Sequence, residues 1–303
     1  MIRKRILPLA GLAILAAVML LAACQTIVPP SLTASPTTPL STDLPTETPT
    51  SAPPSPTPEP LAALVNGEGI SLAQFQAEMI RYQNSGTNLA TEKGMSDEQL
   101  VLDDLVNQVL LAQAAAQAGY SIDDASLQAR IDQLSSQVNL AEWLQAGGYS
   151  GISFHQALRR SITAAWMRDQ IASSVPAAVE QVHAVQILLY NLENANQVYT
   201  LLQSGQEFST LAWRYDPVTG GELGWFPKGY LTEEAIETAA FSLQPGQYSP
   251  IVETRVGFHI LYVVEREPQR QLDGDARLVL QEQALNQWLE DQRQISQIEL
   301  FVP

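Results

Sequence analysis

From Leu61 onward the apolar positions fall into two regimes. Between residues 61 and 173 they recur three and four apart, the period of a helix face. In HAVQILLY (183–190) and VGFHILYVVER (256–266) they alternate or run on continuously among β-branched residues, which marks buried strands. The first regime opens with a short strand in LAALV, a turn at Asn66-Gly67, and Ser71 as N-cap of a helix with Leu72, Phe75, Met79 and Tyr82 on one face. A polar loop is expected from Asn84 to Met95. Ser96 then caps a long helix whose Leu100, Leu102, Leu105, Val109, Leu110 and Ala114 form a wide stripe, closed by Gly119. Ser121, with Asp124 three residues on, opens a helix through Val138, and further helices follow at 139–147 and 153–173. After Pro176 a helical linker leads into the second regime. There the order is strand, two helices divided by Gly205, a loop from Asp216-Pro217 into GGELGWF (220–226), a helix capped by Thr232 with Ile236, Ala240 and Leu243 apolar, and two strands. A last helix, 275–297, has Leu278, Leu285, Trp288, Leu289 and Ile295 on one side.

The N-terminal 60 residues follow neither regime. Arg3, Lys4 and Arg5 precede an apolar run ending Leu21-Ala22-Ala23-Cys24, the layout of a secretory leader. The run is shorter than the ~20 residues a spanning helix needs, which disfavours an uncleaved anchor. Leu-Ala-Ala-Cys resembles the lipobox of bacterial lipoproteins, and the resemblance implies lipidation of Cys24 after removal of residues 1–23. Residues 24–60 are mostly Pro, Ser and Thr, with Asp43, Glu47 and Glu59 as their only charges. So little apolar surface cannot offset chain entropy, and a disordered, extended tether is expected.

Charge and cysteine narrow the functional classes. The chain carries 16 basic against 32 acidic residues, and cleavage before Cys24 removes three basic residues and no acidic ones. Nucleic acid is excluded as a natural partner of so acidic a surface. One cysteine allows no intrachain disulfide, and three scattered histidines, His155, His183 and His259, offer no metal-ligand spacing. Neither a metal nor any other cofactor is expected.

The pieces VNGEGIS, LVNQVLLAQAA and SIDDASLQARI resemble the N-terminal chaperone domain of the SurA/PrsA class of extracytoplasmic foldases. GGELGWF, AAFSLQPGQYSPIVET and GFHILYV, in that order, resemble a parvulin-type peptidyl-prolyl isomerase, whose loop reads Gly-Gly-Asp-Leu-Gly-Trp-Phe. The tail ALNQWLEDQRQISQIELF resembles the closing segment of the same foldases, which returns to the N-terminal domain. The implied fold class is α+β: a helical SurA-like domain over 61–177, completed by 272–303, and a parvulin, FKBP-like α/β domain over 178–271. The implied setting is extracytoplasmic, on a bacterial membrane through lipidated Cys24, with unfolded or proline-containing exported polypeptides as partners. Homodimer formation is left open.

An isomerase of X-Pro bonds needs no nucleophile. The amide rotates over about 18–20 kcal/mol because resonance keeps the C–N bond planar, so a catalyst has only to favour the twisted state. The resemblance places an apolar proline slot at Leu223, Phe226, Leu231 and Ile236, and a polar catalytic set at His259, Thr254, Asp216 and Gln186. The family has a histidine where Gln186 stands. His183 lies three residues earlier and so on the other face of the strand, and cannot replace it. Glutamine donates and accepts hydrogen bonds as neutral imidazole does, but takes no charge. Two readings follow: an isomerase with activity reduced by Gln186, or a non-catalytic, peptide-binding holdase chaperone with a degenerate parvulin domain. A transporter's substrate-binding lipoprotein would need two α/β lobes, which the helical half does not supply.

Overall fold

The computed structural model describes residues 59–302. The expectations for the leader, Cys24 and the tether up to residue 58 lie outside the described residues. Two strands, β1 (Leu61–Val65) and β2 (Glu68–Ser71), form an antiparallel hairpin in which Val65 pairs with Glu68. The turn between them has φ of 51° at Asn66 and 84° at Gly67, as a two-residue hairpin that follows strand twist requires. Ser71 then caps α1 (Leu72–Asn84), its hydroxyl accepting from the Gln74 amide.

A short helix, α2 (Leu89–Lys93), occupies part of the stretch expected to be a polar loop, because Ala90 is buried and its amide bonds the Tyr82 hydroxyl. The long helix α3 (Asp97–Gln117) starts with a full capping box between Ser96 and Gln99, an arrangement worth about 1 kcal/mol. Its expected stripe is buried, but Val101, Val106, Leu111 and Ala115 are buried too, and Ala114 is only half-buried. The helix is central: α1 and β1 cover one side, and α6 (Gly151–Ser173) and α10 (Gly274–Ile295) cover another. Between α3 and α6 run α4 (Asp124–Gln137) and α5 (Leu140–Ala146). The cap of α4 is Asp123 rather than Ser121; its carboxylate accepts from the Ser126 amide and hydroxyl.

The expected helical linker after Pro176 is a strand. β3 runs from Ala178 to Leu189, and its first residues pair with the far end of β6 (Phe258–Gln271), as in Ala178 with Gln271 and Gln181 with Glu267. The chain thus leaves the helical unit and returns to it on two paired strands, closed by the Leu272 amide on the Ala177 carbonyl. Between them come α7 (Leu192–Gln203), α8 (Phe208–Tyr215), β4 (Glu222–Pro227), α9 (Glu234–Ser242) and the two-residue β5 (Val252–Glu253). The residue at the N-cap of α9 is Glu233, one past the expected Thr232. The sheet order is β4-β3-β6-β5, antiparallel throughout.

Side chains alternate across this sheet. Ile187, Leu189 and Ile260 pack under α7 and α8. Val182, Ala184, Leu261 and Val263 face α9 and the first turns of α10. Helix α10 bridges the two units: Ala276 and Val279 join the sheet's core, and Leu285, Trp288 and Leu289 join Leu111, Ala164 and Ile171 of the helical unit. Leu278 and Ile295, expected on its apolar side, point to solvent, because the buried stripe switches from one core to the other along the helix. After α10, β7 (Ile298–Leu300) pairs with β1 and makes a β2-β1-β7 sheet.

Candidate functional site

The register of β3 against β6 sets Gln186 opposite Leu261 and Leu188 opposite His259. Gln186 and His259 are therefore diagonal neighbours on one face, the face that carries Leu261 and the α9 core. Their side chains meet: His259 Nδ1 lies 2.8 Å from Gln186 Oε1. On the other side of the ring, His259 Nε2 lies 2.9 Å from the Thr254 hydroxyl. Thr254 is fixed by the tight turn joining β5 to β6, where its amide donates to Gly257 O at 2.8 Å and its hydroxyl accepts from the Val256 amide at 3.1 Å.

His259 is fully buried. Burial holds its imidazole below the usual histidine range, while nearby Glu233 acts in the opposite sense. At neutral pH the ring is uncharged, so one nitrogen donates and the other accepts. With Nδ1 donating to Gln186 Oε1, Nε2 accepts from the Thr254 hydroxyl. Turning the Gln186 amide over reverses the sense: the amide donates to Nδ1, Nε2–H donates to Thr254, and Thr254 donates to Gly257 O at 3.3 Å. The row is satisfied in both senses and carries no charge in either.

Beside this row the four expected slot residues come together in one cluster with Leu261. Phe226 and Ile236 are fully buried, Leu231 nearly so, and Leu223 half-buried against them. The strand carrying Leu223 and Phe226 is pinned to the row by Gly221, whose carbonyl accepts from the Gln186 amide at 2.9 Å. Gly221 has φ of 76°, and a Cβ there would overlap the Gln186 carbonyl oxygen. Only glycine permits this approach.

Asp216 stands apart from the histidine row in what it binds. Its carboxylate accepts from the amides of Val218, Thr219 and Gly221 and from the Thr219 hydroxyl. Those bonds lower its pKa to about 2 and make it the organiser of the loop into Gly221. His183 also stands apart: it pairs across the strands with Trp225, stacks on it at 5.5 Å, and holds Glu222 Oε1 at 2.7 Å. Gln186, and not His183, reaches His259. Trp225 carries Arg270 on its ring at 4.0 Å.

Two residues of this region are absent from the sequence-based set. Glu237, in the first turn of α9, accepts from the amides of Gly229 and Leu231 at 2.6 and 3.1 Å, and so fixes the loop that presents Leu231. The charge of Glu233 lies near enough to His259 to favour its protonated form. Both are polar residues on a helix read only for its apolar positions, and no local signal separates them from solvent-facing glutamates.

A four-stranded antiparallel sheet with a buried polar row beside an apolar cluster, joined to a helical unit, is the arrangement expected of a parvulin-type domain beside a SurA-like one. Comparison with known families agrees: a PPIC-type PPIase domain matches residues 191–265, and a SurA-like N-terminal domain matches 55–158. The chain thus carries a helical SurA-like N-terminal domain and a PPIC-type PPIase domain, together an α+β fold. Foldase protein PrsA of Geobacillus sp. (strain WCH70) is 37% identical over 95 residues, covering 30% of this chain and 34% of that protein. Foldase protein PrsA of Caldanaerobacter subterraneus subsp. tengcongensis is 28% identical over 222 residues, 66% of this chain and 72% of that protein. Chaperone SurA of Methylobacillus flagellatus is 25% identical over 232 residues, with 64% and 52% covered. The chain thus spans between about a third and three quarters of the length of these relatives. Among solved structures, the peptidylprolyl isomerase PrsA from Bacillus cereus is 19% identical, with a TM-score of 0.44 over 77% of this chain and 87% of that one.

Proposed function

We propose that this chain is a peptidyl-prolyl cis-trans isomerase and foldase for exported polypeptides, held on the extracytoplasmic side of a bacterial membrane by lipid on Cys24. In this reading residues 178–271 form the isomerase module, inserted into a helical unit of 61–177 completed by 272–303. The observation that carries the reading is the Thr254–His259–Gln186 row lying beside Leu223, Phe226, Leu231 and Ile236 on one face of the sheet.

The pyrrolidine ring of the substrate enters the apolar slot, where removal from water favours it by about 25 cal/mol per Å² of apolar surface. With the ring held, the acyl side of the X-Pro bond turns against it. A water-poor surrounding favours the twisted amide, which has lost its resonance and its charge separation. The row acts as a neutral, hydrogen-bonded wall that keeps strands β3 and β6 and the β5–β6 turn in register around the slot. Because that task needs donors and acceptors rather than a charge, Gln186 performs it in place of histidine. Asp216 serves the site by setting the loop that leads to Gly221 and Leu223.

The test is protease-free, NMR-detected exchange of a proline tetrapeptide with the full chain in detergent micelles. Acceleration by the wild type and its loss in His259→Ala are expected; equal rates with and without protein would sink the reading. Gln186→His is compared in parallel. A second reading, a holdase with a degenerate slot, is favoured by Gln186 itself: suppression of aggregation by a chain inactive toward the tetrapeptide, with turnover gained in Gln186→His, would select it.

A further inference from the structure

The loop that presents Leu231 to the slot is held from two directions. Glu237 on α9 accepts from the amides of Gly229 and Leu231. From α10, Gln283 donates its side-chain amide to the Gly229 carbonyl, 54 residues away in sequence. Gly229 has φ of 84°, and a Cβ there would collide with the Gln283 side chain, so the loop and helix touch without intervening space. Tyr230 and Leu231, the residues between the two holds, are 4% and 5% exposed and belong to the slot cluster.

The position of Gln283 is not set by the sheet alone. One turn before it, Val279 packs in the slot cluster; just after it, Leu285, Trp288 and Leu289 pack on Leu111, Ala164 and Ile171 of the helical unit. Gln281 adds a bond to the Ala172 carbonyl at 3.2 Å, and Arg293 binds Asn107 and Asp103 on α3. The helix that reaches the slot loop is thus anchored at its far end to the other unit.

We infer that Gln283 is a positioning residue for the proline slot: it fixes the Gly229–Leu231 loop, and through α10 it makes the slot's shape depend on the docking of the helical unit. The inference rests on the slot reading proposed above. On that reading the loop it holds meets substrate, so a change in KM without a change in kcat separates this role from a merely structural one. Loss of the bond loosens Leu231 in the free protein and weakens ground-state and transition-state binding alike, which raises KM and leaves kcat in place.

The experiment compares the full-length wild type with Gln283→Ala and Gln283→Glu, the second keeping length and helix propensity while removing the donor. Isomerisation of a proline tetrapeptide, thermal unfolding and amide hydrogen exchange are measured together. KM is expected to rise about fivefold in both variants, the change one ordinary hydrogen bond gives, with kcat unchanged, the unfolding midpoint lower by about 2–4 °C and exchange faster at Gly229 and Leu231. An unchanged KM, or a fall in kcat and midpoint together, overturns the inference. If the wild type does not isomerise the peptide, the functional reading fails by itself, and hydrogen exchange then decides the positioning role: unchanged protection of Gly229 and Leu231 in both variants overturns it, and selective loss supports it.

Discussion

Replacing Gly221 with alanine tests how tightly the loop before β4 is pinned to Gln186. Two contributions separate in the structure. The first is conformational: at φ of 76° an L side chain meets its own backbone, at about 1–2 kcal/mol. The second is the collision of the new methyl with the Gln186 carbonyl. Neither partner is the end of a flexible side chain, so β4 must move, which loosens the bond from the Gln186 amide to Gly221 O. Overpacking plus a weakened buried hydrogen bond adds about 2–3 kcal/mol. Gly205 is the control, since its φ is 92° and nothing stands within 4 Å of its Cβ. Gly221→Ala is therefore expected to lose about 3–5 kcal/mol and Gly205→Ala about 1–2. Urea denaturation, followed by tryptophan fluorescence and far-UV dichroism with the slope held common, reads the difference. A gap under about 1 kcal/mol between the two variants would refute the argument that backbone contact, beyond positive φ, fixes glycine at 221.

Two further outcomes concern pH. Burial lowers the pKa of His259, so the unfolded chain binds that proton more readily than the folded one. The stability it contributes is complete above about pH 6.5 and is lost as pH falls through the folded value; His259→Gln should flatten the urea midpoint between pH 7.5 and 5, and an unchanged slope would count against a neutral, buried ring. Asp104 on α3 has the opposite sign: burial raises its pKa to about 7, with Gln108 opposing and Glu78 adding to the shift. Its carboxyl is favoured protonated in the fold, so stability is lost as pH rises from the unfolded value through about 7. Asp104→Asn should gain about 1–2 kcal/mol more at pH 8 than at pH 4, a figure discounted for the water that reaches the side chain; equal gains at both pH values would contradict the assignment.

What the residues alone determined was local. Asn66-Gly67 specifies its own turn because both positions accept positive φ, and Ser96 with Gln99 closes a helix end within four residues. The slot residues came from the resemblance to parvulin-type isomerases rather than from local pattern, and Leu223, Phe226, Leu231 and Ile236 do converge in one apolar cluster. Strand period alone separated His183 from the face of Gln186, because a shift of three residues inverts a side chain whatever the fold.

What the tertiary structure decided was which surfaces are covered, and that depends on residues far apart in sequence. Ser121 is the expected cap, yet the helix starts at Asp124, and Asp123 is the residue that accepts the Ser126 amide. Residues 178–181 carry no strand signature of their own; they are strand because 267–271 lie beside them. A helical period says which residues of α10 share a face, yet Leu278 is exposed while Val279 is buried, because the helix passes from one core to another. The same holds for Asp216, whose carboxylate is taken up by its own loop. Glu237 and Gln283 look like solvated polar residues until the fold brings Gly229 between them. Sequence period fixes neighbours along an element; only packing fixes which neighbour lies across from it.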